Sequence, residues 1–141
     1  MHALPTAILH HRTRYGSHYD WLVTPPHGEF VGADAGRLWT LRVAVEPERW
    51  RTAGVWEMEE LAPHRAVYLR YEGPVPGGRG QVRRVDDGTI RAELWTRCRR
   101  VLDVRMAGFA GRVELHALPD TRHGPRWRGV VEPDMGELRP T

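Results

Sequence analysis

His18-Tyr19-Asp20 places an imidazole and a carboxylate two residues apart, and His10-His11 lies a short loop upstream. On an extended strand, side chains at i and i+2 share a face, so His18 and Asp20 point the same way. A histidine at the end of the preceding segment then closes a set of two nitrogens and one oxygen. That set suits a borderline or hard divalent ion such as Mn, Zn or Fe(II), with positions left open for substrate. His10 and His11 compete for the third place; they face opposite sides of their strand, so only one can join. The bland alternative is a group of ordinary surface histidines, and His2, His27, His116 and His123 are read that way.

A second group follows. With a strand over Ala66–Tyr71 that starts early, His64, Tyr68 and Arg70 share one face, while Val67, Leu69 and Tyr71 share the other. Imidazole, phenol and guanidinium together make either a substrate surface or the solvated outer face of a barrel strand. Gly77-Gly78-Arg79-Gly80 is no phosphate loop, because no Gly-Lys-Ser/Thr and no helix follow. A hairpin with left-handed glycines accounts for it. Cys98 lies among Arg97, Arg99 and Arg100 without a catalytic partner and is read as structural. Ser17 is the sole serine and has no nucleophile elbow around it, which argues against a serine hydrolase.

The elements that must position these groups have period two. Thr6–His11, His18–Val23, Arg37–Val43, Ala66–Tyr71, Gly80–Val85, Ile90–Thr96, Val101–Met106, Gly111–Ala117 and Trp127–Val131 read as short strands. Turn chemistry separates them at Pro25-Pro26-His27-Gly28, Pro76-Gly77-Gly78, Asp86-Asp87-Gly88 and Gly108 to Gly111. Glu46 to Pro63 breaks the pattern and reads as a longer connection with a turn or two of helix, ended by Pro63. Many short strands at this spacing predict an antiparallel barrel or sandwich. One domain over 1–131 is expected, with a frayed tail from Glu132 to Thr141.

Composition narrows the rest. A single cysteine leaves no internal disulfide framework and no cysteine-rich zinc site. No apolar run approaches the roughly 20 residues of a membrane span, and no secretory signal is recognised, so a cytoplasmic location is expected. All 21 basic residues are arginine, and lysine and asparagine are absent. GC-rich codon usage accounts for that, yet an all-arginine surface is well suited to bidentate grip on phosphates. The net charge of +3 by itself says little about nucleic acid. Of the six tryptophans, several must be core, although tryptophan beside arginine can also stack unpaired bases.

His11, then His18-Tyr19-Asp20, then His64-x-x-x-Tyr68, then Tyr71-Glu72-Gly73 and a glycine-rich hairpin form an ordered set over most of the chain. With Trp39, Gly111-Arg112-Val113-Glu114-Leu115 and Trp127, this order resembles the 3′-phosphoesterase domain of bacterial DNA ligase D, above all its stand-alone relatives. The likeness spans roughly Thr6 to Glu132 and follows the pattern H-x5-H-x-D, H-x3-Y, aromatic-Glu-Gly. It implies a mainly β fold, a compact antiparallel β-barrel with one or two short helices. It also implies a divalent metal of manganese type (zinc being an alternative) and removal of a 3′-phosphate or 3′-ribonucleotide from a DNA primer-template end. By position, His11, His18 and Asp20 would hold the metal, and His64 and Tyr68 would contact the scissile phosphate as catalytic groups. Arg42, Arg70 and Arg79 are candidate substrate-binding residues. A monomer acting in DNA repair and end joining, with DNA-repair proteins as partners and no membrane role, is what the resemblance implies.

The chain departs from the pattern in two ways. Six residues rather than five separate His11 from His18, a cheap loop insertion; His10 would fit worse. Leu22 stands where the family has an arginine two residues after the aspartate, on the face of His18 and Asp20. That removes a phosphate clamp, with Arg65, Arg70 or Arg79 as substitutes. A non-catalytic barrel that binds nucleic-acid ends or a repair partner is therefore the rival expectation, and a small-molecule barrel with an apolar cavity is a third.

Overall fold

The computed structural model describes residues 2–26, 37–119 and 124–132. The strands are β1 (Leu4–Thr13), β2 (Gly16–Val23), β3 (Arg37–Val43), β4 (Val55–Arg65), β5 (Gly73–Pro74), β6 (Gln81–Trp95), β7 (Arg99–Met106), β8 (Ala110–Ala117) and β9 (Arg126–Val131). Eight of them pair antiparallel in the order β1-β2-β3-β4-β9-β8-β7-β6, and β6 pairs back onto β1. The sheet closes on itself, so the expected antiparallel barrel is what forms. Closure also removes the exposed edges that an open sheet would offer. β5 is a two-residue addition to one end of β6.

Alternation fills the interior. Trp21, Val23, Leu41, Val43, Trp56, Met58, Leu102, Val104, Val113 and Leu115 point inward and form the main core. Between β3 and β4, a 3-10 turn (Pro47–Arg49) leads into α1 (Trp50–Ala53), which carries Trp50 against Trp21, Trp56 and Phe109. Near the start of β3, Arg100 lies 4.0–4.9 Å from the ring centroids of Trp39, Trp95 and Trp127. There Glu60 accepts the indole N–H groups of Trp39 and Trp127. All six tryptophans lie in the main core or pack against it.

A second, smaller core lies outside the barrel wall. Ala7, Leu9, Leu22, Leu38 and Val82 are covered there by Tyr68, Leu69, Tyr71 and Val75. The chain from the end of β4 to the start of β6 folds back over the outer face of β1, β2 and β3. This cover buries residues that alternation alone assigns to solvent.

Three segments differ from the reading of period and turn residues. Gly80–Val85 and Ile90–Thr96 belong to one continuous strand, and Asp86-Asp87-Gly88 is not a turn. Against β1 the register steps from Ile8–Asp86 to Leu9–Arg84, so Val85 bulges out and the strand bends there. Gly88 is required by close packing, since a Cβ would lie 1.8 Å from the Arg105 carbonyl oxygen. Glu46–Pro63 does contain a short helix, but the acidic run Glu57–Glu60 lies on β4, where Trp56, Met58 and Glu60 face inward and Glu57 and Glu59 supply the outer side. Ala66–Leu69 is a 3-10 turn and not a strand, so the proposed common strand face of His64, Tyr68 and Arg70 does not exist. Pro76-Gly77-Gly78 is a turn with positive φ at both glycines, as expected. His27, Gly28, His123 and the tail from 133 onward lie outside the described residues. Among those described, no helix is long and apolar enough to cross a membrane.

Candidate metal centre

Cross-strand register builds the cluster. His11 on β1 pairs with His18 on β2, and Leu9 pairs with Asp20, so His11, His18 and Asp20 share the outer face. His10 falls on the opposite face, its ring 5.2 Å from Tyr19, and the competition is settled for His11. On the other side of β2, Asp20 pairs with Arg42 and Leu22 with Thr40.

His64 arrives through a bulge. β4 pairs with β3 as Leu38–His64 and then Thr40–Leu61, leaving Ala62 and Pro63 opposite Trp39 alone. The extra residue re-aims the end of β4 and accommodates a proline that a regular ladder would reject. The His64 N–H donates to Thr40 Oγ1 at 3.3 Å, which fixes the new direction.

Three imidazoles then surround one carboxylate. Asp20 is 1% exposed. Its oxygens lie 3.0 Å from His18 Nε2, 3.7 Å from His11 Nδ1 and 3.7 Å from His64 Nε2. One nitrogen each of His11 and His18 and one oxygen of Asp20 fall within 4.8 Å of one another. Ligands about 2.1 Å from an ion at near-tetrahedral or octahedral angles sit about 3.0–3.4 Å apart, so a small contraction suffices.

Outer hydrogen bonds set the tautomers. His11 Nε2 lies 2.6 Å from the Arg79 carbonyl and His64 Nδ1 lies 3.0 Å from the Ala62 carbonyl. Each carbonyl takes an N–H, leaving His11 Nδ1 and His64 Nε2 turned toward Asp20. This is the support a metal-ligating histidine needs. His18 Nε2 and Asp20 Oδ1 are buried and lack hydrogen-bond partners, close together but out of line for an N–H···O bond. Two unpaired buried ligand atoms side by side fit a cation between them.

Electrostatics follow from burial and pairing. Burial pushes the Asp20 carboxyl up, but its interactions with His18 and His64 outweigh that and hold it below the usual carboxylate range. Burial pushes His64 down, yet the Asp20 carboxylate and the Ala62 carbonyl hold it above the usual imidazole value. The cluster gathers positive charge and can exchange it for a bound ion.

A cleft of about 580 Å³ opens over the cluster, lined by His11, His18, Asp20, His64, Tyr68, Arg42, Arg65 and Arg79, with Pro76 and Val75 at its rim. Tyr68 reaches it from the 3-10 turn, its ring 5.9 Å from that of His64. Of the candidate residues, only Arg70 stays out: it is exposed at the end of that turn and does not line the cleft. Leu22 does not line it either. Although two residues from Asp20 on the same face, it is fully buried in the second core. Thr40, which anchors His64, carries no local sequence signal, because its role depends on a bulge in the neighbouring strand β4. His116 pairs with Glu114 at 3.1 Å, His2 is exposed, and Cys98 is exposed in the turn after β6 rather than packed in the fold.

Comparison with known protein families and with curated proteins returned no match for this sequence. What the site can do therefore rests on its own geometry. A His/His/Asp cluster that can hold a metal ion lies beneath a cleft walled by arginines.

Proposed function

We propose that the protein is a divalent-metal-dependent phosphoesterase that removes 3′-phosphates or 3′-ribonucleotides from nucleic-acid ends, in the manner of the ligase D phosphoesterase domain it resembles. The observation that carries this reading is the convergence of His11, His18, Asp20, His64, Tyr68, Arg42 and Arg79 on one cleft. A divalent ion held by His11, His18 and Asp20, manganese by the resemblance, would supply Lewis-acid charge to the phosphoryl oxygens. Arg42, Arg65 and Arg79 neutralise the remaining phosphate charge, and Arg42, opposite Asp20 in register, takes the place that Leu22 leaves. Water attacks phosphorus as the bond to the 3′ oxygen breaks. His64, tied through Nδ1, presents Nε2 to the cleft, where a proton it carries can pass to the departing oxygen. Tyr68 beside it donates a hydrogen bond to the same phosphate.

Titrating Mn²⁺ into the protein with a 3′-phosphorylated DNA primer should release phosphate and leave 3′-OH ends. His18→Ala and Asp20→Ala should each abolish release; retained activity in both sinks the metal assignment. The absence of arginine at Leu22 favours a second reading, a non-catalytic module that binds nucleic-acid ends or a repair partner. Salt-dependent binding of DNA ends without turnover under any divalent ion would select it.

A further inference from the structure

The metal cluster sits at the junction of two lobes, and only the first serves the reaction above. The second, about 500 Å³, runs from His11 and His18 to the tip of the β1–β2 hairpin, where Arg14, Tyr15 and Gly16 line it opposite Gly78 and Arg79. His11, His18, Arg42 and Arg79 line both lobes, so the two form one continuous groove.

The hairpin tip holds its side chains outward. Thr13 pairs with Gly16, which leaves Arg14 and Tyr15 as a two-residue loop. The Thr13 hydroxyl donates to the Gly16 carbonyl and accepts the Tyr15 N–H, both at 3.1 Å. Gly16 takes the unusual φ of 128°, so Arg14 and Tyr15 keep ordinary backbone conformations. Tyr15 is 91% exposed, the most exposed large hydrophobic side chain among the described residues, and the Arg14 guanidinium lies 5.8 Å from its ring. An exposed aromatic ring flanked by a cation contributes nothing to the core.

We propose that this tip is a second nucleotide subsite, in which Tyr15 stacks on the base of the unpaired nucleotide preceding the 3′-terminal one, and Arg14 and Arg79 hold the linking phosphate. The proposal rests on the phosphoesterase reading of the adjoining lobe. A strand whose end lies at Asp20 must leave the cluster by some route, and the second lobe offers cations and a π-face with no lining carboxylate among the described residues. Base stacking on an aromatic side chain is sequence-tolerant, and arginine matches phosphate.

Binding is measured by fluorescence anisotropy in Mn²⁺ with a short labelled DNA strand ending in a non-hydrolysable 3′-phosphonate, either intact or abasic at the penultimate nucleotide. The intact strand should bind the native protein about tenfold more tightly than the abasic strand. Tyr15→Ala should erase that preference, and Tyr15→Trp should keep it. An equal preference in native and Tyr15→Ala proteins, or no strand binding at all, overturns the subsite. Phosphate release from a hydrolysable strand is scored separately. Binding with base preference but no release removes the phosphoesterase reading and leaves the subsite standing; release with an unaltered preference in Tyr15→Ala removes the subsite alone.

Discussion

Asp20 and Asp86 are both buried carboxylates, and the contrast between them separates function from structure. Asp86 accepts the backbone N–H groups of Asp87, Ala107 and Gly108, tying β6 to the β7–β8 turn, and needs no further partner. Asp20 faces three imidazoles, and its Oδ1 has no hydrogen bond. A buried anion left that way is costly unless a cation completes its surroundings. Two residues on, Leu22 sits in the second core rather than at the cleft. Introducing an arginine there should therefore harm the protein: Leu22→Arg buries a guanidinium among Ala7, Leu9, Leu38 and Val82 and removes a packed side chain. A loss of about 2–5 kcal/mol in stability is expected, read from urea unfolding midpoints. Faster phosphate release at undiminished stability would show that the position opens to the cleft after all.

At the scale of elements, the Ala62–Pro63 bulge on β4 decides where His64 goes. Without the extra residue the strict alternation of a strand would continue, and a one-residue slip moves a side chain to the other face. Deleting Ala62 should take His64 away from Asp20 while the inner residues Trp56 and Met58, before the bulge, keep their places. The deletion should cost as much phosphate release as His64→Ala, with the circular dichroism of the tryptophan core preserved. Full release from the deletion variant, where His64→Ala has none, would separate His64 placement from the bulge.

The whole molecule couples the site to the barrel, because the candidate ligands come from β1 and β2, with His64 beside them from β4, all joined through one ladder around β3. An ion that binds this arrangement and not the unfolded chain must stabilise the fold by mass action. Mn²⁺ or Zn²⁺ at a hundred times its dissociation constant should add about 2.7 kcal/mol and raise the melting temperature, and a chelator should reverse it. The ion competes with protons for imidazole nitrogen, so the shift should shrink as the solution is made more acidic. His18→Ala should remove the shift; an undiminished rise in that variant would place the ion elsewhere.

Much of this was legible in the residues themselves. Period two over short runs predicted an antiparallel β architecture, and i, i+2 spacing put His18 and Asp20 on one face, because strand geometry is local. The turn expected at Asp86-Asp87-Gly88 failed for a non-local reason: Gly88 is there for the close approach of Arg105, and Asp86 serves a hairpin about twenty residues away. The acidic run Glu57–Glu60 hid β4, since alternation with Trp56 and Met58 only becomes apparent once the barrel supplies an inside. Tertiary structure alone decided that His11 and not His10 meets His18, that a bulge brings His64 to 3.7 Å from Asp20, and that a crossing segment seals Leu22 away from the cleft. Strand register, bulges and cover segments are set by contacts between distant parts of the chain, and no local spacing encodes them.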